Sequence, residues 1–406
     1  MKETLDPKTV PMPSADHHAC PSCGSRKLSV FYQVANVPVH SCLMMPTVEA
    51  ALSFPTGDVV LAACQDCGFI TNTAFDPKWS AYAPNYEDQQ SFSPTFNQFA
   101  LELAGHLVNK YDLHNKDILE IGCSKGDFLL LLCQLGHNRG VGIDPSAVPG
   151  RVESEAADRV TFISDYYSEA HSQYVGDFIC CRHTLEHIQP TAEFLRTVRR
   201  SIGDRLDIGV CFELPDTTRV LREQAFEDIY YEHCSYFTLG SLARLFRACG
   251  FEITDLHRAY SDQYLLIEAK PTDVLSDRTH PGEETVTETL QDVATFVSKI
   301  EAKIRYWQQH LEQMQQQGKR VVVWGSGSKC VAFLTTLHTI DKIQHVVDIN
   351  PHRWGKFIPG VGKQIQAPEF LKDYKPDQVI VMNEIYCPEI QQMLDQMGVV
   401  TEVTPI

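Results

Sequence analysis

The clearest signal along the chain is the alternation of short apolar runs with segments whose apolar residues recur every three or four positions. Runs that read as buried strands occupy residues 117–122, 140–144, 160–165 and 177–181, and a helix is predicted over residues 128–135. Runs that are apolar throughout are typical of parallel strands covered on both faces. Their alternation with helices predicts an α/β fold built on a parallel sheet.

A long helix is predicted after these strands, over residues 284–317, which contain no proline or glycine. One face of it is apolar, through Leu290, Val293, Phe296, Val297, Ile300, Ile304, Trp307 and Leu311. This face either packs on neighbouring domains or forms a coiled-coil dimer arm, and the shortage of regular heptads favours packing. Further strands are predicted at residues 320–324 and 345–350, so a second α/β unit follows the helix.

The composition limits the partners. The formal net charge is −17 at pH 7, and 43% of the residues are hydrophobic. An acidic surface repels phosphate backbones, so we expect no nucleic-acid partner. No apolar run approaches the ~20 residues that span a bilayer, and residues 1–16 lack the apolar core of a secretory signal. We therefore expect a soluble, cytoplasmic monomer or homodimer that acts on a small molecule.

Two Cys-x-x-Cys pairs predict a metal site near the N-terminus. They are Cys20–Cys23 and Cys64–Cys67, each followed by glycine. Two such pairs close a tetrahedral shell of four sulfurs, which is typical of structural zinc rather than catalytic zinc. The alternative is four unrelated buried or free cysteines. Histidines that could replace one ligand, although four cysteines suffice, are His17, His18 and His40.

The strand over residues 117–122 runs into the turn Glu120-Ile121-Gly122-Cys123-Ser124-Lys125-Gly126. Class I methyltransferases that bind S-adenosylmethionine (SAM) carry E/D-x-G-x-G-x-G here, and Ser124 replaces the middle glycine. The next two strands end in acids placed for the ribose hydroxyls and the adenine amino group. A glycine turn also fits NAD, but the carboxylate before the first glycine favours SAM, whose amino group needs an anion. The predicted cofactor contacts are Glu120, Gly122, Cys123, Ser124, Gly126, Asp144, Asp165 and His183.

The order of cysteine pairs, SAM domain, helix and C-terminal α/β domain resembles that of the nucleotide-sugar C-methyltransferases, which methylate C-3 of a dTDP-4-keto-deoxyhexose. The resemblance covers nearly the whole chain. Its most specific element is Tyr230-Tyr231-Glu232-His233-Cys234-Ser235-Tyr236-Phe237. In that family a similar Tyr-x-Glu-His-x-Ser-Tyr-Phe segment supplies a catalytic histidine with a supporting glutamate and tyrosine. Two further matching elements are residues 182–187 and the region of Tyr82, Tyr86 and residues 93–96.

The resemblance implies a base and several hydrogen-bond donors. A C–H bond next to a ketone is acidic only when the enolate is stabilised, so one group removes the proton while donors hold the oxyanion. His233 is the expected base, because imidazole titrates near neutral pH. Glu232 is expected to orient substrate hydroxyls or polarise a neighbour. The expected donors to the keto oxygen are Tyr230, Tyr86 and His187, and His183 is either a further site residue or a packing residue at a strand end.

Three departures from the family lie within this expected site. Family members commonly have histidine at the position of Tyr231, asparagine at that of His183, and a second tyrosine with serines where this chain has residues 87–90. These departures leave the expected reaction type in place and bear on the identity of the sugar.

The C-terminal unit has a sequence pattern similar to the dinucleotide-binding fingerprint. A strand leads into Gly325-Ser326-Gly327 before a helix, and the next strand ends in Asp348. Only ~85 residues remain, too few for the two-half sheet that grips NAD. In the resembling family this domain helps to hold the nucleotide-sugar. We expect the turn either to bind its pyrophosphate, with Lys329 adding charge, or to be structural. Arg353, Trp354 and Lys356 are either a phosphate or base patch or ordinary loop residues.

The predicted fold class is therefore α/β: a class I SAM-dependent methyltransferase Rossmann-like domain with an N-terminal zinc-binding lobe and a smaller C-terminal Rossmann-like domain. The predicted boundaries are residues 15–75 for the zinc-binding domain, 76–270 for the methyltransferase domain, 271–318 for the linker and connecting helix, and 319–406 for the substrate-binding domain. C-methylation of a nucleotide-linked keto-deoxysugar is the expected activity. The alternatives are O- or N-methylation of another small molecule and a non-catalytic SAM-binding scaffold protein.

Overall fold

The computed structural model describes residues 18–79, 81–274, 276 and 278–406, and three sheets organise these residues. Residues 15–17 of the predicted zinc-binding domain, including His17, lie outside the described residues. So do Ser80 of the predicted methyltransferase domain and Leu275 and Asp277 of the predicted linker. Within the described parts of the chain, no helix has the length and apolarity that a membrane span requires.

The first sheet joins the N-terminal lobe to a distant segment of the chain. Its antiparallel strands are β1 (Leu28–Pro38), β2 (Thr56–Cys64), β3 (Ile70–Asn72) and β9 (Ser235–Tyr236), in that spatial order, and α1 (Val48–Leu52) precedes β2. Ile70 pairs with Tyr236 and Thr71 with Ser235. The lobe therefore supplies the neighbouring strand for the Tyr230–Phe237 segment.

The second sheet has the predicted parallel core. Its order is β10-β11-β8-β7-β4-β5-β6, in which β8, β7, β4, β5 and β6 are mutually parallel and β11 runs antiparallel to both of its neighbours. The strands are β4 (Asp117–Ile121), β5 (Arg139–Ile143), β6 (Val160–Ile163), β7 (Phe178–Arg182), β8 (Gly209–Pro215), β10 (Phe251–Ala259) and β11 (Tyr264–Pro271). The helices of this region are α2 (Pro94–Lys110), α3 (Asp127–Gly136), α4 (Thr191–Ile202), α5 (Thr217–Glu223) and α6 (Leu239–Ala248). The four predicted strands and the helix after the first of them are confirmed.

The predicted long helix is α7 (Val286–Gln316). Its buried side chains include Val293, Phe296, Ile300, Trp307 and Leu311, whereas Val297 is 47% exposed. The ring of Phe296 meets Tyr32 of β1, and that of Trp307 meets Phe333 of the C-terminal unit. This confirms the packing interpretation for the buried positions.

The third sheet is wholly parallel, in the order β14-β13-β12-β15-β16. Its strands are β12 (Val321–Trp324), β13 (His345–Val347), β14 (Ile365–Gln366), β15 (Gln378–Val381) and β16 (Glu402–Pro405). The accompanying helices are α8 (Ser328–Leu337), α9 (Leu371–Tyr374) and α10 (Cys387–Met397). The chain first adds β13 and β14 on one side of β12 and then β15 and β16 on the other, so the carboxyl end of β12 lies at a topological switch point, where ligands of such sheets bind.

The C-terminal unit holds the loop that precedes α2. Arg353 inserts from the C-terminal unit and donates through Nε to the Glu87 carbonyl oxygen at 3.1 Å. At the start of α2, the Glu389 carboxylate accepts from Ser93 Oγ at 2.9 Å and from the Thr95 backbone N–H at 3.1 Å. These hydrogen bonds attach the loop before α2 to the C-terminal unit, so the position of that unit helps to set the conformation of the loop.

The Arg353→Ala variant is expected to destabilise the fold. Arg353 is 7% exposed and also pairs with Asp348, at 3.1 Å between Nη1 and Oδ2. Removing one member of a buried ion pair typically costs about 3–5 kcal/mol, because the remaining charge stays buried. The urea midpoint should fall clearly, whereas Arg305→Ala, on the exposed side of α7 with a side chain 60% exposed, should hardly move it. Equal midpoints for the two variants would contradict this role of Arg353.

Candidate active site

One cleft of about 1120 Å³ runs between the two Rossmann-like units and the N-terminal lobe. Its volume exceeds that of a pocket for a single drug-sized ligand, so it has room for a cofactor and a substrate together. The predicted site residues that line it are Tyr86, Glu120, Gly122, Cys123, Ser124, Asp144, Asp165, His183, His187, Tyr230 and His233. Two predicted residues, Gly126 and Glu232, do not line this cleft.

The turn after β4 has the backbone shape that its glycines predict. Gly122 and Gly126 adopt positive φ angles of +74° and +89°, and a side chain would collide with Thr184 at the first and with Phe162 at the second. Gly126 is therefore needed to start α3 and acts through the turn rather than by facing the cleft. Ser124 also has a positive φ, +48°, and its Oγ donates to Asp88 Oδ1 at 2.7 Å. This bond gives the one irregular residue of the turn a role, since it ties the turn to the loop before α2.

The carboxylates around the turn differ in how many hydrogen bonds they already accept. Asp144 accepts one backbone N–H at each oxygen, from Ser124 at 2.8 Å and from Ser146 at 2.6 Å, so each oxygen can accept a further donor. Glu120 is 2% exposed, and its Oε2 has no hydrogen-bond partner among the described residues. Burial, with the nearby charge of Asp127 and Asp144, raises the pKa of the Glu120 carboxyl to about 8 despite the opposing effect of Arg182. A cation bound next to Glu120 would be stabilised by the ionised form of this carboxyl.

A buried lysine in the same turn was not identified from the sequence. Lys125 is 1% exposed, and its Nζ donates to the Ser146 carbonyl oxygen at 2.7 Å and to that of Pro84 at 3.4 Å. It thus links the turn to the loops on either side. Nothing in the local sequence marks the lysine as buried, because its partners are backbone carbonyls of distant loops.

The Tyr230–Phe237 segment brings two histidines together in the cleft. The Tyr230 hydroxyl lies 2.9 Å from His233 Nε2, and the rings of His233 and His187 are 4.9 Å apart. His187 Nδ1 is 2.8 Å from the Tyr82 hydroxyl and 3.1 Å from the Glu232 carbonyl oxygen. Since a carbonyl oxygen only accepts, Nδ1 of His187 carries a hydrogen.

The Glu232 carboxylate is directed away from the cleft, which changes its expected role. Its Oε1 lies 2.9 Å from His40 Nδ1, and its Oε2 accepts the Ser41 backbone N–H at 2.8 Å. Burial would raise the pKa of this carboxyl, but contact with His40 and, to a smaller extent, with Tyr86 keeps it below its usual range. The carboxylate therefore holds the segment against the N-terminal lobe instead of orienting substrate hydroxyls. Sequence analysis considered His40 only as a metal ligand, because 192 residues separate it from Glu232.

His183 lies in a network of buried charges at the end of β7. Its Nε2 is 2.7 Å from Glu213 Oε1 and its Nδ1 is 3.7 Å from Glu186 Oε1. Burial alone would lower the pKa of His183, but the two carboxylates raise it to about 9, so this histidine is an imidazolium at neutral pH. Arg182 pairs with Glu213 at 2.9 Å, and despite burial the two cations lower the pKa of Glu213 to about 2.

The C-terminal turn is largely satisfied internally. Asp348 Oδ2 accepts from Ser326 N at 2.7 Å and from Arg353, and its Oδ1 accepts from Asn350 N at 2.8 Å, so only Oδ1 keeps capacity for a further donor. Lys329 lies 2.8 Å from Asp228 and is thus already paired. The backbone of Gly327 at the start of α8 lines the cleft and has no side-chain cap. The positive charge that Lys329 was expected to add to the turn is therefore paired with Asp228, and Arg353 is a buried residue bonded to Glu87 and Asp348 rather than part of an exposed patch.

The four N-terminal cysteines converge. All four Sγ atoms lie within 4.8 Å of one another, although 47 residues separate Cys20 from Cys67. All fourteen cysteines of the chain are free thiols. Four sulfurs gathered without a disulfide fit the donor set of a tetrahedral zinc ion. His40 is engaged with Glu232 and is not part of this set.

Comparison with known proteins gives two family matches and one curated relative. The methyltransferase-domain family matches residues 96–256, and the family described as C-methyltransferase C-terminal domain matches residues 267–400. The C-methyltransferase NovU of Streptomyces niveus is 27% identical over 358 residues, which cover 82% of this chain and 81% of that protein.

Solved structures of methyltransferases are similar to parts of the chain. Magnesium protoporphyrin IX methyltransferase of Synechocystis with bound S-adenosylhomocysteine (SAH) is 15% identical, with a TM-score of 0.35, and the match covers 44% of this chain and 84% of that one. The 1,6-didemethyltoxoflavin-N1-methyltransferase of Burkholderia thailandensis is 18% identical, with a TM-score of 0.33, covering 51% and 97%.

Proposed function

The chain is a SAM-dependent methyltransferase, and we propose that it methylates a carbon atom next to the ketone of a nucleotide-linked deoxysugar. The observation that carries this proposal is the Tyr230–His233 pair, which faces the same cleft as the turn after β4. O- and N-methylation do not require a base and an oxyanion donor side by side, whereas C-methylation next to a ketone does. The C-terminal family match and the C-methyltransferase relative support the same choice.

The cofactor half of the proposal assigns SAM to the cleft beside β4 and β5. Asp144, with acceptor capacity on both oxygens, binds the ribose hydroxyls, and Asp165 lies at the adenine end of the cleft. The unpaired Oε2 of Glu120 faces the cationic part of the cofactor. Gly122 allows the backbone to approach it closely. When bound, SAM supplies an electrophilic methyl group.

The catalytic half assigns the proton transfer to His233. Burial, reinforced by the nearby charges of His187, His183 and Lys329, holds the pKa of His233 well below its usual range, so the ring is neutral at pH 7. When Nε2–H donates to the Tyr230 oxygen, Nδ1 keeps the lone pair that accepts the proton. Burial raises the pKa of Tyr230 well above its ordinary value, so its hydroxyl remains a donor for the developing enolate oxygen.

We assign the nucleotide half of the substrate to the carboxyl end of β12. The uncapped start of α8 offers backbone N–H groups to a phosphate. Further polar groups that line the cleft belong to Asn350, Asn383 and Tyr386. We also propose that Cys20, Cys23, Cys64 and Cys67 bind a structural zinc ion, because their geometry closes the coordination shell.

Turnover on matched sugars tests this proposal. The protein is incubated with SAM and either dTDP-4-keto-6-deoxyglucose or dTDP-glucose, which has no ketone, and SAH is measured. We expect SAH only with the keto-sugar. Turnover on acceptors without a ketone would favour O- or N-methylation. SAM binding without turnover on any keto-sugar tested would favour the scaffold alternative.

SAM binding is expected to release protons at pH 7. With its pKa near 8 in the free protein, the Glu120 carboxyl is mostly protonated at pH 7. A bound cation lowers this pKa, so the carboxyl ionises and a proton leaves. Calorimetry in buffers of different ionisation enthalpy should show up to about one proton released per SAM, and Glu120→Gln should abolish the release. Equal proton release by the Gln variant would contradict the assignment of Glu120.

A further inference from the structure

A second carboxylate, that of Glu186, lies beside His187 and His233, whereas the Glu232 carboxylate is bonded to His40 and Ser41. Glu186 belongs to the short 3₁₀ turn Leu185–His187 that follows β7, and it lines the cleft. Its carbonyl oxygen accepts the Cys234 backbone N–H at 3.0 Å. The turn is therefore anchored directly to the Tyr230–Phe237 segment.

The Glu186 carboxylate is only half satisfied. Its side chain is 3% exposed, and the one ionic contact, from Oε1 to His183 Nδ1, is 3.7 Å long. Its Oε2 is buried and has no hydrogen-bond partner among the described residues. A buried carboxylate oxygen without a donor is unfavourable, so its retention calls for a partner that forms in the working site.

The two histidines are the groups within its reach. One oxygen of Glu186 and one ring nitrogen each of His187 and His233 lie within 4.8 Å of one another. Glu232 is not available to them, because His40 and Ser41 hold its carboxylate. The other ionisable groups that act on His233 are His187, the cationic His183 and Lys329, which is paired with Asp228. Its uncharged neighbours are Tyr230 and Tyr236.

The environment of His233 disfavours its protonated form, and an unpaired carboxylate nearby offsets this effect. A neutral imidazole that is buried among cations is a poor proton acceptor, because its protonated form is unfavourable there. A nearby carboxylate stabilises the imidazolium as it forms, which is the part that the third group of a nucleophile–base–acid triad performs.

We propose that Glu186 is a positioning residue that stabilises the protonated form of His233 while the substrate carbon loses its proton. The proton moves from the carbon to His233, the electron pair of the C–H bond enters the enolate, and Glu186 remains a carboxylate throughout. This inference rests on the proposed function, since it presupposes His233 as the base.

Glu186→Gln keeps the size of the side chain and removes its charge. We expect kcat to fall by roughly 10²-fold, with KM for SAM and for the keto-sugar unchanged, because only the protonated state of His233 is affected. Glu186→Asp, which keeps the charge, should recover part of the loss. The matched control is Glu301→Gln on α7, whose side chain is 81% exposed, pairs with Arg305 and does not line the cleft.

Hydrogen exchange isolates the proton step from methyl transfer. With SAH in place of SAM, the protein and dTDP-4-keto-6-deoxyglucose are placed in D₂O, and loss of the C–H signal next to the ketone is followed by NMR. We expect slow exchange for Glu186→Gln and wild-type exchange for Glu301→Gln. Wild-type exchange by Glu186→Gln, or an Asp variant as slow as the Gln variant, would overturn the role of Glu186 alone. Failure of the wild-type protein to exchange the proton of any keto-sugar nucleotide would overturn the proposed function, and this inference with it.

Discussion

Replacing His233 by asparagine is expected to lower kcat by roughly 10³-fold while SAM still binds, since a positioned base contributes about 10²- to 10⁴-fold. Asparagine keeps a hydrogen-bonding group near Tyr230 but cannot take up a proton. His233 lines the cleft and contacts Tyr230 and His187 rather than residues of the cofactor turn, so its removal should leave the turn intact. Steady-state kinetics and calorimetric SAM binding measure the two effects separately.

The matched control for this variant is His257→Asn. His257 is a histidine of β10 whose side chain is 46% exposed and lies 3.5 Å from Asp255, and it does not line the cleft. It should behave as the wild type. The pH profile adds a second check. Because the pKa of His233 lies well below its usual range, kcat/KM for the keto-sugar, measured at saturating SAM, should stay level between pH 7 and pH 6, where an ordinary histidine would lose its basic form. Near-normal turnover of His233→Asn would assign the base elsewhere.

Loss of the metal site is expected to abolish turnover and to spare cofactor binding. Cys64 ends β2, the Cys64–Cys67 turn leads into β3, and β3 pairs with β9 of the Tyr230–Phe237 segment. Structural zinc sites contribute about 10–16 kcal/mol of binding free energy in finger peptides, and this energy is coupled to folding. Without the ion, the first sheet should lose its order and the segment its neighbouring strand. The SAM turn follows β4, which is hydrogen-bonded to β5 on one side and β7 on the other, so we expect it to keep its backbone geometry although Cys20, Cys64 and Cys67 pack against the same core.

Cys64→Ser is the variant that tests this coupling, with Cys387→Ser as the control, since Cys387 lies at the start of α10, far from the cluster. Metal analysis should find about one zinc per chain in the wild type and in the control, as a four-thiolate site holds one ion, and none in Cys64→Ser. Turnover should fall at least 10²-fold, because the base loses its placement. SAM binding should remain. A zinc-free protein with full turnover would contradict the coupling.

The parts of the molecule that sequence analysis predicted well are those in which neighbouring residues determine the outcome. The turn from Glu120 to Gly126 joins a strand to a helix, and Asp144 follows on the next strand, so strand, turn and helix positions agreed with the structure. The four cysteines were also recognisable, because their spacing within each pair is local even though 41 residues separate Cys23 from Cys64.

What the sequence did not reveal are contacts whose partners lie far apart along the chain. The hydrogen bonds between His40 and Glu232 and between Arg353 and Glu87 span 192 and 266 residues. Neither pair leaves a periodic pattern. Glu232 was therefore expected to face the substrate, when the fold of the N-terminal lobe turns it towards His40. Glu186 was not predicted as a site residue for a similar reason, since its proposed role depends on which carboxylate oxygen remains without a hydrogen-bond partner after folding.

The position of the transferred methyl group tests the central claim most directly. A keto-sugar nucleotide uniformly labelled with ¹³C in the sugar is incubated with the protein and SAM carrying a ¹³C-methyl group, and the product is examined by ¹³C NMR. A new methyl carbon with one-bond coupling to a sugar carbon next to the ketone is the predicted result. A methyl signal without such a one-bond carbon–carbon coupling would place the group on oxygen or nitrogen and would contradict C-methylation.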